Sequence, residues 1–233
     1  MNRVLGAARM HLAHPLLSVG IPWLIVGTSF ALNVAIWKVG NVAETVPGDG
    51  STGGLASLYI AVGMVFAQSV TMIFPFAMGL SLSRRAFYLG TALTAVVQSV
   101  GNAAVLLALA AVEGATNGWG VGLRFWMPGY LDVANPALQF LVYAVPMLAC
   151  ASLGMALGVV FKRWGAPGLY ALTLGVLLIA GLAAVWATWQ QVWSDVGGWF
   201  AEQTVASLTI TLPAVLTVGL AGLAFLGLRR SVP

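Results

Sequence analysis

Six uninterrupted apolar runs dominate the chain, at 16–37, 55–80, 87–112, 137–161, 166–187 and 206–228. Each holds 22 to 26 residues, and none contains Asp, Glu, Lys or Arg. A helix rises about 1.5 Å per residue and the hydrocarbon core of a bilayer is about 30 Å thick, so about 20 such residues make one crossing. The pattern predicts an all-α, polytopic membrane protein with six transmembrane helices, forming a single domain over 1–233. Barrel strands would instead give runs of about 10 residues with alternating polarity. A cleavable leader carries an apolar stretch of only about 7 to 15 residues, so the first run reads as a retained span.

The segments between the runs alternate in length and in charge. Two are short and basic, 81–86 and 162–165, whereas 38–54, 113–136 and 188–205 are longer. With the N-terminus placed inside, the inner segments hold Arg3, Arg9, Arg84, Arg85, Lys162, Arg163, Arg229 and Arg230, and the outer ones hold only Lys38 and Arg124. Basic residues are retained on the cytoplasmic side during insertion, so eight against two places both termini in the cytoplasm. All six carboxylates (Glu44, Asp49, Glu113, Asp132, Asp195, Glu202) then fall outside.

Within the connecting segments, 1–15 puts Val4, Leu5, Ala8 and Leu12 on one helical arc before Pro15 and Pro22, which predicts a short in-plane interfacial helix. His11 and His14 are one turn apart but have no third ligand nearby, so they are expected to face solvent or headgroups rather than a metal. Segment 38–54 is rich in Gly, Ser, Thr and Pro and reads as flexible. Trp119, Phe125, Trp126 and Tyr130 suit the outer interface. Trp186, Trp189 and Trp193 fall at i, i+3 and i+7, predicting a helix over the Trp-rich 188–205 that is either interfacial or re-entrant.

Composition narrows the function classes. The chain is 60% hydrophobic and 7% charged, where a soluble domain is roughly 25% charged. The net charge of +4 comes from ten basic residues spread along the chain, which form no clustered patch for nucleic acid. Cys150 is the only cysteine, so no disulfide closes within the chain. No Gly-Lys dipeptide occurs, hence no P-loop, and the glycine-rich 48–54 reads as an outer loop. Neither His lies in a span, which removes an intramembrane base or metal and predicts no catalysis by this chain itself. Ion-coupled carriers usually hold an ionisable residue at membrane depth. That class fits less well, although coordination by backbone carbonyls leaves it open, and so does a non-transporting scaffold or sensor.

Neutral polarity is what the spans offer. Thr91, Thr94, Gln98 and Asn102 share one face of the third run, suited to interhelical hydrogen bonds or to a water-facing surface. Met64, Gln68, Thr71, Met72 and Pro75 share an arc of the second, combining flexible thioethers, a carboxamide and a kink, as a solute-facing wall or a packing seam would. Gly154 with Gly158, and Ala31 with Ala35, read as close-packing pairs.

The segment SLSRRAFYLGTAL at 81–93, EGATNGWG at 113–120, the Trp-rich last outer loop and the ending FLGLRR at 225–230 together resemble the ABC-2-type permease family of bacterial ABC exporters. The likeness spans essentially the whole chain and lies in the order of loose motifs. It implies a permease in the bacterial cytoplasmic membrane, working as two permeases, identical or related, with two cytoplasmic ABC ATPase subunits. ATP and Mg would be held by the ATPase, with no cofactor in this chain. It further implies that an amphipathic substrate (a drug, antimicrobial peptide or lipid) moves along a path on the second and fifth spans. Met64, Gln68, Thr71 and Met72 are the candidate path residues, and Ser81, Ser83, Arg84, Arg85 and Phe87 the candidate ATPase-coupling element. The in-plane helix of the family maps onto 2–12.

Single cysteines at Ser51, Asn117 and Gly198 in a Cys150→Ala background are expected to react with an impermeant thiol reagent from outside intact cells. Labelling only after lysis at any of the three would overturn the orientation.

Overall fold

The computed structural model of the chain describes residues 3–11, 13, 15–42 and 50–230. Among these the fold is all-helical, the one extended pairing being an isolated bridge between Ser51 and Arg124. The helices are α1 (Arg3–His11), α2 (Ile21–Gly40), α3 (Ala56–Gln68), α4 (Phe74–Gly79), α5 (Arg84–Ala115), α6 (Pro136–Trp189), α7 (Trp193–Glu202) and α8 (Leu212–Arg230). Five helical stretches are long and apolar enough to cross a membrane: Leu16–Gly40, Ala56–Gly79, Arg84–Ala115, Pro136–Trp189 and Ser207–Leu228. The chain is therefore a multi-pass helical membrane protein.

The fourth and fifth apolar runs lie together in α6, 54 residues long, where a loop at 162–165 is expected from the sequence. A straight helix of that length would extend about 80 Å, more than twice the hydrocarbon thickness. Gly165 interrupts it at φ 65° and ψ −160°, a region open essentially to glycine alone. The chain folds sharply there, because a Cβ on Gly168 would lie 3.6 Å from Val160 Cγ1, whereas eight residues of straight helix span about 12 Å. A one-residue break thus bends the chain where a loop is expected.

Three helical stretches share another device. Proline lacks an N–H, and its ring displaces the carbonyl four residues back. Ahead of Pro22, Pro75 and Pro213 the chain widens into a π-turn, at Leu16–Gly20, Ser69–Ile73 and Ser207–Thr211. The residue before each proline donates five residues back: Ile21 to the Leu16 carbonyl, Phe74 to Ser69, Leu212 to Ser207. Pro22 strands the Ser18 carbonyl, and Gln98 Nε2 donates to it at 2.8 Å.

That bond belongs to a seam. His11 Nε2 meets Thr91 Oγ1 at 2.9 Å, and Trp23 Nε1 donates to Asn102 Oδ1 at 3.0 Å. The three pairs are separated by 80, 80 and 79 residues, a nearly constant offset that shows the α1–α2 stretch running parallel to α5. Asn102 Nδ2 also donates to Met147 Sδ at 3.2 Å, tying in α6. The polar stripe on the third run is thus an interhelical seam. Thr94 bonds only the Gly90 carbonyl of its own helix. α3 and α6 pack just as closely: a Cβ on Gly154 would fall on the Gly63 carbonyl, and one on Gly158 would lie 2.7 Å from the Ala67 carbonyl oxygen. The Gly154 and Gly158 pair is therefore a packing surface, whereas Ala31 and Ala35 are exposed.

α1 departs from the expected arc. Its buried side is Ala7 and His11, with Leu5 turned outward, because the helix lies on α5: a Cβ on Gly90 would sit 2.6 Å from Ala7 Cβ and 2.9 Å from the Val4 carbonyl oxygen. His11 is consequently buried rather than solvated, its ring 6.0 Å from that of Phe87. His14, Leu12 and Asn2 lie outside the described residues, as does 43–49 of the loop expected to be flexible.

At the opposite end, Glu113 is 3% exposed and organises the loop that follows α5. Its Oε2 accepts the backbone N–H of Phe125 and Trp126 at 2.9 and 3.0 Å and the Trp119 indole N–H at 3.1 Å, and Oε1 accepts from Met127 at 3.0 Å. Phe125 and Trp126 are buried and packed on Phe30, with centroids 5.3 and 5.2 Å away, so these aromatics fill an interior and do not form the interfacial belt expected; Tyr130 alone of the four is exposed. Segment 50–54 is also knitted in, Arg124 donating to the Gly50 carbonyl at 2.9 Å and Gly129 to Ser51 Oγ at 2.9 Å.

The fifth run is the exception to close packing. From 169 to 189 no residue is buried, and Ile179 and Trp189 are 71% and 79% exposed. The three tryptophans do not share one helix: the chain turns at Gln191, φ 56°, before Trp193 opens α7.

Glu113→Gln turns an amide NH2 toward backbone donors and removes the charge. A loss of about 3 kcal/mol is expected, read as a lowered unfolding midpoint in detergent with greater protease sensitivity at 116–127.

Candidate functional site

α1, the π-turn at Leu16–Gly20 and the second apolar helix enclose a cavity of about 480 Å³. Met10, His11, Ala13, Leu17 and Ser18 form one wall; Val65, Gln68, Ser69, Met72, Ile73 and Phe76 form the other. Two of the three π-turns therefore border it. Such turns open the helix and turn side chains that a regular helix would stack, a recurrent feature of functional sites. Pro75 supplies the cause on one wall and Pro22 on the other.

The lining is apolar and polarizable, with two thioethers and one phenyl ring, and its polar groups (His11, Ser18, Gln68, Ser69) carry no formal charge at neutral pH. Ser69 Oγ donates to the Val65 carbonyl at 2.9 Å. The Thr91 hydroxyl donates to the Phe87 carbonyl at 3.0 Å, so it can only accept from His11. The imidazole therefore carries its proton on Nε2 and leaves Nδ1 as acceptor. Burial lowers the His11 pKa from 6.5 to about 4. The surface suits an uncharged or amphipathic organic solute with a hydrocarbon portion.

The sequence-selected residues divide. Gln68 and Met72 line the cavity. Met64, 52% exposed, does not, and Thr71 bonds the Ala67 and Gln68 carbonyls of its own helix at 3.3 and 3.2 Å. Of the expected coupling element, Ser81 takes φ 59° at the end of α4, where Leu82 N–H reaches back to the Ala77 carbonyl and closes the helix. Ser83 caps α5, its Oγ accepting from Ala86 N–H at 3.2 Å. Arg84 and Arg85 border a separate open groove. Phe87 is buried against Phe74, 5.2 Å between centroids, and braces the connection from inside. Sequence reasoning left out Met10 and Ser18 on the α1 side and Ser69 and Phe76 on the other, and it expected His11 to face solvent or headgroups. Pro22 was the available signal for Ser18, since it strands that carbonyl.

No family model, curated protein or solved structure matches the chain.

A histidine held below its unfolded pKa gives stability that is complete above pH 6.5 and is lost as pH falls toward 4, because the unfolded form then binds the extra proton. Hydrogen exchange of the Val4–His11 amides, corrected for intrinsic pH dependence, is expected to quicken over that window. His11→Phe should remove the pH dependence; an unchanged profile in the variant would assign it to another group.

Proposed function

We propose that this chain is the membrane subunit of an ATP-driven exporter similar to the ABC-2-type permeases, moving an amphipathic substrate through the bacterial cytoplasmic membrane. In this reading it crosses six times with both ends in the cytoplasm, Gly165 being the turn between the fourth and fifth crossings. The observation that carries the proposal is the neutral cavity on the second apolar helix. Gln68 and Met72 meet there with a second thioether, Phe76 and His11, and the described lining holds no Asp, Glu, Lys or Arg to bind a coupling ion.

Two further features support it. The connection 80–83 is tight, with Ser83 capping and Phe87 anchoring it, so force applied by a cytoplasmic partner at Ser81, Arg84 and Arg85 would pass into α5 without being absorbed by a loose loop. α5 carries the seam to α1 and α2, hence to one wall of the cavity. The exposed 169–189 segment offers a long apolar face for a second copy, giving a two-fold pair with two ATPase subunits. ATP hydrolysis would belong to those subunits.

The test is co-expression with a cytoplasmic ABC ATPase and reconstitution into vesicles. Stable co-purification and amphiphile-stimulated hydrolysis are expected. Gln68→Leu should change that stimulation several-fold without altering assembly, since it removes a carboxamide at similar volume. Transport by the purified chain alone on an imposed ion gradient would refute the exporter reading and favour a carrier.

A further inference from the structure

A second concavity lies between the start of α5 and the end of α8, with a volume of about 750 Å³ and wide open on one side. It is lined by Arg84 and Arg85 together with Tyr88, Leu89, Gly222 and Phe225. Tyr88 ties the two helices together: its hydroxyl donates to the Ala221 carbonyl at 2.9 Å and its ring lies 5.0 Å from that of Phe225. Two arginines therefore share a trough with the apolar side of two membrane-length helices.

We propose that this groove binds one anionic phospholipid from the leaflet at that end, its phosphate at Arg84 and Arg85 and its acyl chains along Leu89, Gly222 and Phe225. The shape of the charge distribution selects this occupant. A soluble anion would use the arginines and leave the apolar lining bare, and a neutral lipid would use the apolar lining and leave the arginines unused. Guanidinium forks match phosphate oxygens, and basic pockets between membrane helices recognise such headgroups. Charge complementarity is reinforced along the sequence, because the short segments at this end, 81–86 and 162–165, contain no Asp or Glu. Gly222 leaves the trough open, since a Cβ there meets nothing within 4 Å.

The inference does not depend on transport, and its test contains no ATPase. The purified, delipidated chain is titrated with phosphatidylglycerol, phosphatidylcholine or inorganic phosphate, and bound lipid is counted by native mass spectrometry. One tightly retained phosphatidylglycerol per chain is expected, with at least about tenfold weaker retention in Arg84→Gln/Arg85→Gln. Arg84→Lys/Arg85→Lys should keep part of the binding, showing that the fold survives changes at the pair. Gly222→Leu fills the trough with both charges in place and should abolish retention, whereas millimolar phosphate should not displace the lipid. Equal retention of phosphatidylcholine, full retention by the Gln pair or by Gly222→Leu, or displacement by phosphate alone would each overturn it.

Discussion

Within hydrocarbon, a proline costs its helix a backbone hydrogen bond, and Pro22 takes from the Ser18 carbonyl its usual donor four residues on. Gln98 answers it from α5, and the same stripe answers His11 through Thr91 and the Trp23 indole through Asn102. Much else depends on these contacts. They set the α1–α2 stretch alongside α5, which places Met10, His11 and Ser18 opposite the second apolar helix and so defines one wall of the cavity. Gly154 and Gly158 act comparably on the other wall, letting α6 approach α3 until backbone meets backbone. The cavity lies between two tightly held pairs, and its walls are shaped by prolines rather than by any insertion or loop.

The helical, membrane-spanning character was legible because apolar runs free of charge over 22 or more residues have few other uses. The stripe from Thr91 to Asn102 was legible as a face, but its partners were not, since hydrogen bonds across 80 residues leave no local trace. His11 misled because one-turn spacing to His14 and a polar N-terminal context suggest solvent; only the small residues of α1 seated on Gly90 explain its burial. Phe125 and Trp126 misled for a related reason. Aromatics beside a span are usually interfacial, yet here Glu113 gathers the backbone N–H groups on either side of them and turns both rings inward onto Phe30. Gln68 and Met72 were recoverable from their helical arc. Met64 lies on that arc one turn short of the cavity, and Thr71 misses it because the π-turn rotates the helix beyond Gln68.

The molecule is uneven in how firmly it is built. The described residues from α1 to 160 are held by carbonyl-to-glycine contacts, the seam and the Glu113 clasp, with the outward face of α2 left exposed. Beyond Gly165 the chain holds itself to the rest mainly through α8, where Gly227 meets Val159 and Tyr88 meets Phe225 and Ala221. A lipid seated beside Tyr88 would lie at that one joint, so the composition of the surrounding bilayer would act where the two parts are connected.

The nearly constant separation across the seam also has a meaning in time. A ribosome adds about 5–20 residues per second, so the partners of His11, Ser18 and Trp23 emerge about 4–16 s after them. During that interval the first apolar run is already made, yet the groups that will complete it do not exist. Its stranded Ser18 carbonyl and Trp23 indole must be held by water, lipid headgroups or the insertion machinery, and the α1–α2 segment can settle only once the third apolar run has joined it. The order of synthesis thus makes the segment ahead of α3 wait for the third apolar run before it can reach its final place.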